Sequence, residues 1–247
     1  RRQRQMCIRD RLTIIQSKYY KVGDLYVVNG EPLGLVYEIS DGGAHGKVVA
    51  LKAHRDLNLL YRTGLPYDEI HPEDPNNVGV IARSETDGQE NMKAYKQIPD
   101  WKTHYPVAAY VSDLNDENGN PGWYLPAIKE VQAMVGWIDG EVLSPDGEAG
   151  QEPSEAMKEK RKAINQLIVD NGGNEFYFYG YDVSFIIDQT NAWEADYFNR
   201  IYTSTETDYQ VHPMVFKFYL RNGWWETMHV YGDLAGSYGE VRPFLAF

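Results

Sequence analysis

A single cysteine, Cys7, in a chain of 247 residues excludes an internal disulfide and a thiolate metal cluster. The apolar lead-in of a lipid-anchored cysteine is missing before it, so it reads as an incidental thiol. No apolar run approaches the roughly 18 residues that a membrane-spanning helix needs. Basic residues are scarce: 24 Lys and Arg stand against 36 Asp and Glu, a net charge of −12. Five Arg and one Asp fall in the first eleven residues, so the remainder sums to −16. A body this acidic repels phosphate backbones, which argues against nucleic acid as a partner. The basic leader reads as a solvated arm or a contact for an anionic surface. No signal peptide is visible and the first residue is Arg, which suggests a mature form with its targeting segment removed.

Catalytic signatures are missing as well. The six histidines show no H-E-x-x-H spacing, and no G-x-S-x-G occurs. Gly42-x-x-x-Gly46-Lys47-Val48 is one residue short of a phosphate loop and lacks its Ser or Thr, so it reads as a turn before a strand. Asp113 to Gly122 stacks oxygen ligands like a calcium loop. Its sixth position is Asn118 and its twelfth Tyr124, where Gly and a bidentate Glu are needed, and an acidic turn is the preferred reading. Calcium stays as an option, and no other cofactor or metal is expected.

What is present is an ordinary globular composition, 43% hydrophobic and 24% charged, long enough to bury a full core. Residues 1–19 read as an arm with a helix-like stretch, and 20–247 as one domain. "KVGDLYVV", "GLVYEI" and "KVVAL" are strand candidates, the last two separated by the Gly-rich turn "SDGGAHG". Thr86 or Asp87 caps a helical turn into "NMKAY", and Pro106 suits the first position of the next helix. Ile128, Val131, Val135 and Ile138 recur at helical spacing. A further helix runs from Ser154, as N-cap, through Ile164, Leu167 and Ile168 to Gly172. Residues 139–153 read as an inserted surface loop. Strands follow Gly173, in "EFYFYG", "RIYTST", "MVFKFYL", "WWETMHV" and "VRPFLAF". The class is α+β, with mixed twisted antiparallel sheets and two or three helices.

Asn222-Gly223 is a strong two-residue hairpin signal, because both turn positions need positive φ. With that loop Arg221 pairs with Trp224, Leu220 with Trp225, Tyr219 with Glu226, Phe218 with Thr227, Lys217 with Met228 and Phe216 with His229. Phe216, Phe218, Leu220 and Trp225 then form a core face. Arg221, Trp224, Tyr219 and Glu226 lie on the other face, which mixes charge with aromatic rings. Residues 190–247 hold 14 of the 33 aromatic side chains. Rigid Trp and Tyr among Asn, Arg and Gly suit a recognition surface. The candidate contacts are Trp193, Tyr197, Asn199, Tyr219, Arg221, Trp224, Glu226, Tyr231 and Tyr238.

"GWYLPAIKEV" (Gly122 to Val131), "YTSTE" (Tyr202 to Glu206) and "VRPFLAF" (Val241 to Phe247) occur in an order that resembles the major paralogous domain family of secreted bacterial proteins. Its fold is C-type lectin-like, related to formylglycine-generating enzymes. The aromatic, Gly-rich ending also resembles the variable proteins of diversity-generating retroelements, whose C-terminal strands and loops carry diversified contact residues. Thr203 departs from the pattern, which has Trp there. The resemblance implies that Trp123, Leu125 and Pro126 set the start of a helix and that Glu206 and Arg242 form a buried pair. It also implies a secreted or cell-surface protein. Oxidative chemistry in the related enzymes relies on a pair of cysteines, which the single Cys7 cannot supply.

The expected function is therefore non-catalytic binding of a protein or glycan through the C-terminal face. The alternatives are a hydrolase with a carboxylate site, and a structural domain that buries the aromatic face in assembly.

Overall fold

The structure is a computed structural model describing residues 19–56, 59, 82–118, 122–139, 154–176, 200–209, 212–221, 224–230 and 239–247. The arm 1–18 and the loop 140–153 lie outside the described residues. The architecture is α+β. Strands β1 (Leu25–Val28), β2 (Glu31–Ser40) and β3 (His45–Ala50) come first, and helices α1 (Gly88–Tyr95), α2 (Trp101–His104), α3 (Pro106–Asn118), α4 (Ile128–Asp139) and α5 (Glu155–Asp170) follow. Strands β4 (Arg200–Tyr209), β5 (His212–Arg221), β6 (Trp224–Val230) and β7 (Phe244–Ala246) complete the order. Among the described residues five α-helices stand where two or three helices were expected. The four-residue α2 is too short to show a periodicity, and its N-cap Asp100 is left-handed with φ 51°.

Among the described residues two antiparallel sheets form, in the orders β1-β2-β3-β7 and β4-β5-β6. The last strand of the chain thus pairs with an early one, setting Val48 opposite Leu245 and Val49 opposite Phe244. Backbone bonds carry the C-terminal segment onward, joining Val241 to His54 and Phe244 to Tyr124 in both directions at 2.8–2.9 Å. A parallel bridge links Ile201 to Glu240 and so ties one sheet to the other. The terminal segment is a seam between elements far apart in sequence.

Local chemistry explains the helices. The Asp87 carboxylate accepts from the Glu90 N–H at 3.0 Å, and the Ser154 hydroxyl from the Met157 N–H at 3.3 Å. Each satisfies a donor that the helix leaves unpaired. Ile128, Val131, Met134, Val135 and Ile138 of α4 are all buried, a continuous stripe at helical spacing. On α5, Ile164 and Ile168 join the core, and Asn165 on that face binds both the N–H and the carbonyl of Phe176.

The turn from β2 to β3 runs through three left-handed residues, Asp41, Gly42 and Gly43. Both glycines have positive φ, yet their surroundings differ. A Cβ on Gly43 would sit 2.1 Å from the Tyr20 carbonyl oxygen, whereas one on Gly42 meets nothing within 4 Å. Gly43→Ala is expected to cost about 3 kcal/mol and Gly42→Ala about 1 kcal/mol, read from urea midpoints. Equal losses would show that the contact with Tyr20 does not matter.

Candidate functional site

The β5–β6 register is the one the Asn222-Gly223 loop predicts. Arg221 is opposite Trp224, Leu220 opposite Trp225, Tyr219 opposite Glu226, Phe218 opposite Thr227, Lys217 opposite Met228 and Phe216 opposite His229. Because directly opposed residues share a face and faces alternate along a strand, Tyr219, Arg221, Trp224 and Glu226 belong to one side of the hairpin. Trp193, Tyr197, Asn199, Tyr231 and Tyr238 lie outside the described residues. Strand β4 extends the sheet, with Ile201 opposite Phe218 and Tyr202 opposite Lys217. Ile201 and Tyr202 are both buried, so at this end the sheet is covered on both sides.

The hairpin is anchored by an irregularity in β4. Between Tyr202 and Glu206 the register slips: four steps on β4 match two on β5. The extra residues bulge out of the ladder and are free to bond elsewhere. Thr203, Ser204 and Thr205 are all buried there. The Ser204 N–H donates to the Pro126 carbonyl at 2.7 Å, and its carbonyl accepts from the Tyr95 hydroxyl at 2.6 Å. Asn91 Nδ2 donates to Ser204 Oγ at 2.9 Å. Thr205 Oγ1 accepts from the Ile128 N–H at 3.0 Å and donates to the Ser84 carbonyl at 2.9 Å. Thr205 therefore satisfies a first-turn donor of α4 from a distant strand. Glu206 exchanges bonds with the Ala82 backbone through its own N–H and its carboxylate.

Two buried charge clusters flank this anchor. Glu130, on α4, accepts from the Gly88 and Ala127 N–H groups and from the Tyr124 hydroxyl at 2.8–3.0 Å, and it pairs with Lys47 at 3.0 Å. It binds the start of two helices at once. Burial, and then the nearby Glu130 carboxylate, push the Tyr124 hydroxyl pKa up.

Arg242 is fully buried, and its partner is Glu240, two residues away, at 2.7 Å. The pairing expected between Glu206 and Arg242 is corrected accordingly: on an extended segment, positions two apart share a side. Arg55 grips the same Glu240 carboxylate at 3.0 Å. Arg242 also donates to the carbonyls of Ala50, Leu51, Asn174 and Glu175, and its guanidinium lies 4.1 Å over the Phe176 ring. Burial lowers its pKa, and Glu240 opposes that shift.

The remaining candidate chemistry resolves simply. Asp113 to Asn118 belong to α3, not to a turn, and Asp113 pairs with Lys102. Among the described residues no group of three or more His, Cys, Asp or Glu is arranged to hold a metal. Gly42 to Val48 form a 3-10 turn and the start of β3. No described helix is long and apolar enough to cross a membrane. His54 stacks on Tyr110 with centroids 4.2 Å apart, and partial burial lowers its pKa.

Sequence reasoning missed the Glu130 cluster, and at Arg242 it gave a buried pair with the wrong partner. Glu130 had a signal, since it stands three residues after the residue preceding α4, the position of a capping-box acid.

The stretches Gly122 to Val131, Tyr202 to Glu206 and Val241 to Phe247 meet in space through the Ser204–Pro126, Thr205–Ile128 and Tyr124–Phe244 bonds. Comparison of this chain with models of protein families, with curated proteins and with solved structures finds no match to any of them.

Proposed function

We propose that this protein is a non-catalytic ligand-binding module of C-type lectin-like architecture, secreted or displayed at a cell surface. It recognises a protein or glycan through its C-terminal strands and loops. The observation that carries the reading is the β5–β6 register, which groups two aromatic residues, Tyr219 and Trp224, with Arg221 and Glu226 on one hairpin side. Such a group offers large stacking area with charged hydrogen-bonding neighbours, the composition of binding hot spots. The mutual bonding of the three motif stretches supports the family kinship, because conformity to the pattern then has a physical basis in the scaffold. Diversification of the hairpin and its loops is part of the same reading: a binding face built on a separately anchored sheet tolerates substitution.

The carboxylate-hydrolase alternative has less support, since buried Glu130, Glu206 and Glu240 each hold hydrogen bonds within the fold.

The test is a screen of the purified chain against glycan and surface-protein arrays, with and without calcium. Trp224→Ala is expected to weaken any hit at least about tenfold, the loss typical of a central aromatic contact. A hit that this variant leaves unchanged would remove the hairpin from the binding face.

A further inference from the structure

A cleft of about 430 Å³ opens between the start of β2, the end of β3, α3 and the C-terminal end of α5. Its volume lies in the range of small-ligand sites. Leu33, Leu51 and Leu114 line it together with Tyr110 and Trp123, while Glu31 and Lys52 stand at its rim. The aromatic walls are held in place. Tyr110 stacks on His54, and Asn115 binds both the N–H and the carbonyl of Trp123, at 2.6 and 2.9 Å. The rim is also set on firm backbone. Glu31 follows the two-residue turn Asn29-Gly30, with φ of 52° and 89°, and is paired with Val28. Lys52 follows β3, where the Leu51 N–H donates to the Leu33 carbonyl at 3.0 Å.

Glu31 and Lys52 are exposed and, among the described residues, neither side chain has an ion pair or hydrogen bond. Among its described lining residues the cleft thus presents a carboxylate, an ammonium and an apolar, aromatic interior. A purely apolar ligand uses neither charge, and a singly charged one leaves the other unmatched. We propose that the cleft binds a small zwitterion with an apolar body, of the class of free apolar α-amino acids. The ligand ammonium pairs with Glu31 and its carboxylate with Lys52, while its side chain rests on the leucines between Tyr110 and Trp123. Charge-assisted bonds fix the orientation and apolar contact supplies the remaining affinity. This site is separate from the hairpin reading and does not depend on it.

The test is calorimetric titration of the full chain with L-phenylalanine and L-leucine, beside N-acetyl-L-phenylalanine and L-phenylalaninamide, each of which lacks one of the two charges. Saturable binding of the free amino acids is expected, with each blocked derivative about tenfold weaker. Glu31→Gln should erase the preference over the N-acetyl compound, and Lys52→Met the preference over the amide. Both positions are exposed, so neither change disturbs the core. Trp224→Ala should leave these titrations unchanged, which separates this site from the hairpin. Absence of saturable binding, equal affinity for the blocked compounds, or dependence on Trp224 in place of the rim pair would overturn the proposal.

Discussion

Arg242→Met is expected to destabilise the protein by about 3–5 kcal/mol, the range for removing one partner of a buried charge pair. Two consequences add up. Glu240, fully buried, keeps Arg55 but loses its closest cation, at 2.7 Å. The carbonyls of Ala50, Leu51, Asn174 and Glu175 also lose the donors that Arg242 brings to them. Those groups come from the end of β3 and the segment after α5, and Arg242 itself sits on the terminal seam. The guanidinium thus connects the segment after α5 to the β3–β7 ladder, with which that segment forms no ladder of its own. Arg242→Lys should recover little, because an ammonium cannot span donors to a carboxylate and to several carbonyls in one plane. Both variants are to be measured by urea denaturation with a structural probe. A loss below about 1 kcal/mol for Arg242→Met would mean that the cluster is replaceable by apolar packing, as some buried ion networks are.

The elements most legible in the sequence were those fixed by local chemistry. Asp87, Pro106 and Ser154 mark helix starts because unpaired N–H groups and the φ of proline are properties of single residues. The hairpin register was legible residue by residue for a similar reason, since a two-residue loop leaves no freedom in pairing. Asn29-Gly30 carries the same signal directly after the strand candidate "KVGDLYVV" and joins β1 to β2 in the same way, yet the sequence reading passes over it. What sequence could not supply was the partner of each buried charge. Glu206 binds the backbone of Ala82, 124 positions away, and Thr205 serves the start of α4. Such pairings follow from the bulge in β4, whose two extra residues have no signature in a run of Thr and Ser. Of the nine candidate contact residues, four take their grouping from the hairpin register. The rest rest on composition alone.

Glu130→Ala should be the other severe substitution, at about 3–5 kcal/mol. The carboxylate is 3% exposed and accepts from two backbone N–H groups, at Gly88 and Ala127, and from the Tyr124 hydroxyl. Alanine would leave three buried donors unsatisfied and the Lys47 ammonium without its counter-charge. Glu130→Gln separates geometry from charge. Its amide oxygen still serves one side of the site, but its NH₂ confronts donors on the other, so about 2 kcal/mol is expected. Lys47→Met isolates the ion pair; as Lys47 is partly exposed, its loss should be about 1 kcal/mol, smaller than either change at Glu130. The order Ala, then Gln, then the lysine variant is the prediction, read from denaturation midpoints. A lysine variant as damaging as Glu130→Ala would make the ion pair the dominant contribution. The expected order would make the joining of two helix starts dominant, which is how a single acid on α4 aligns the start of α1 with the start of α4.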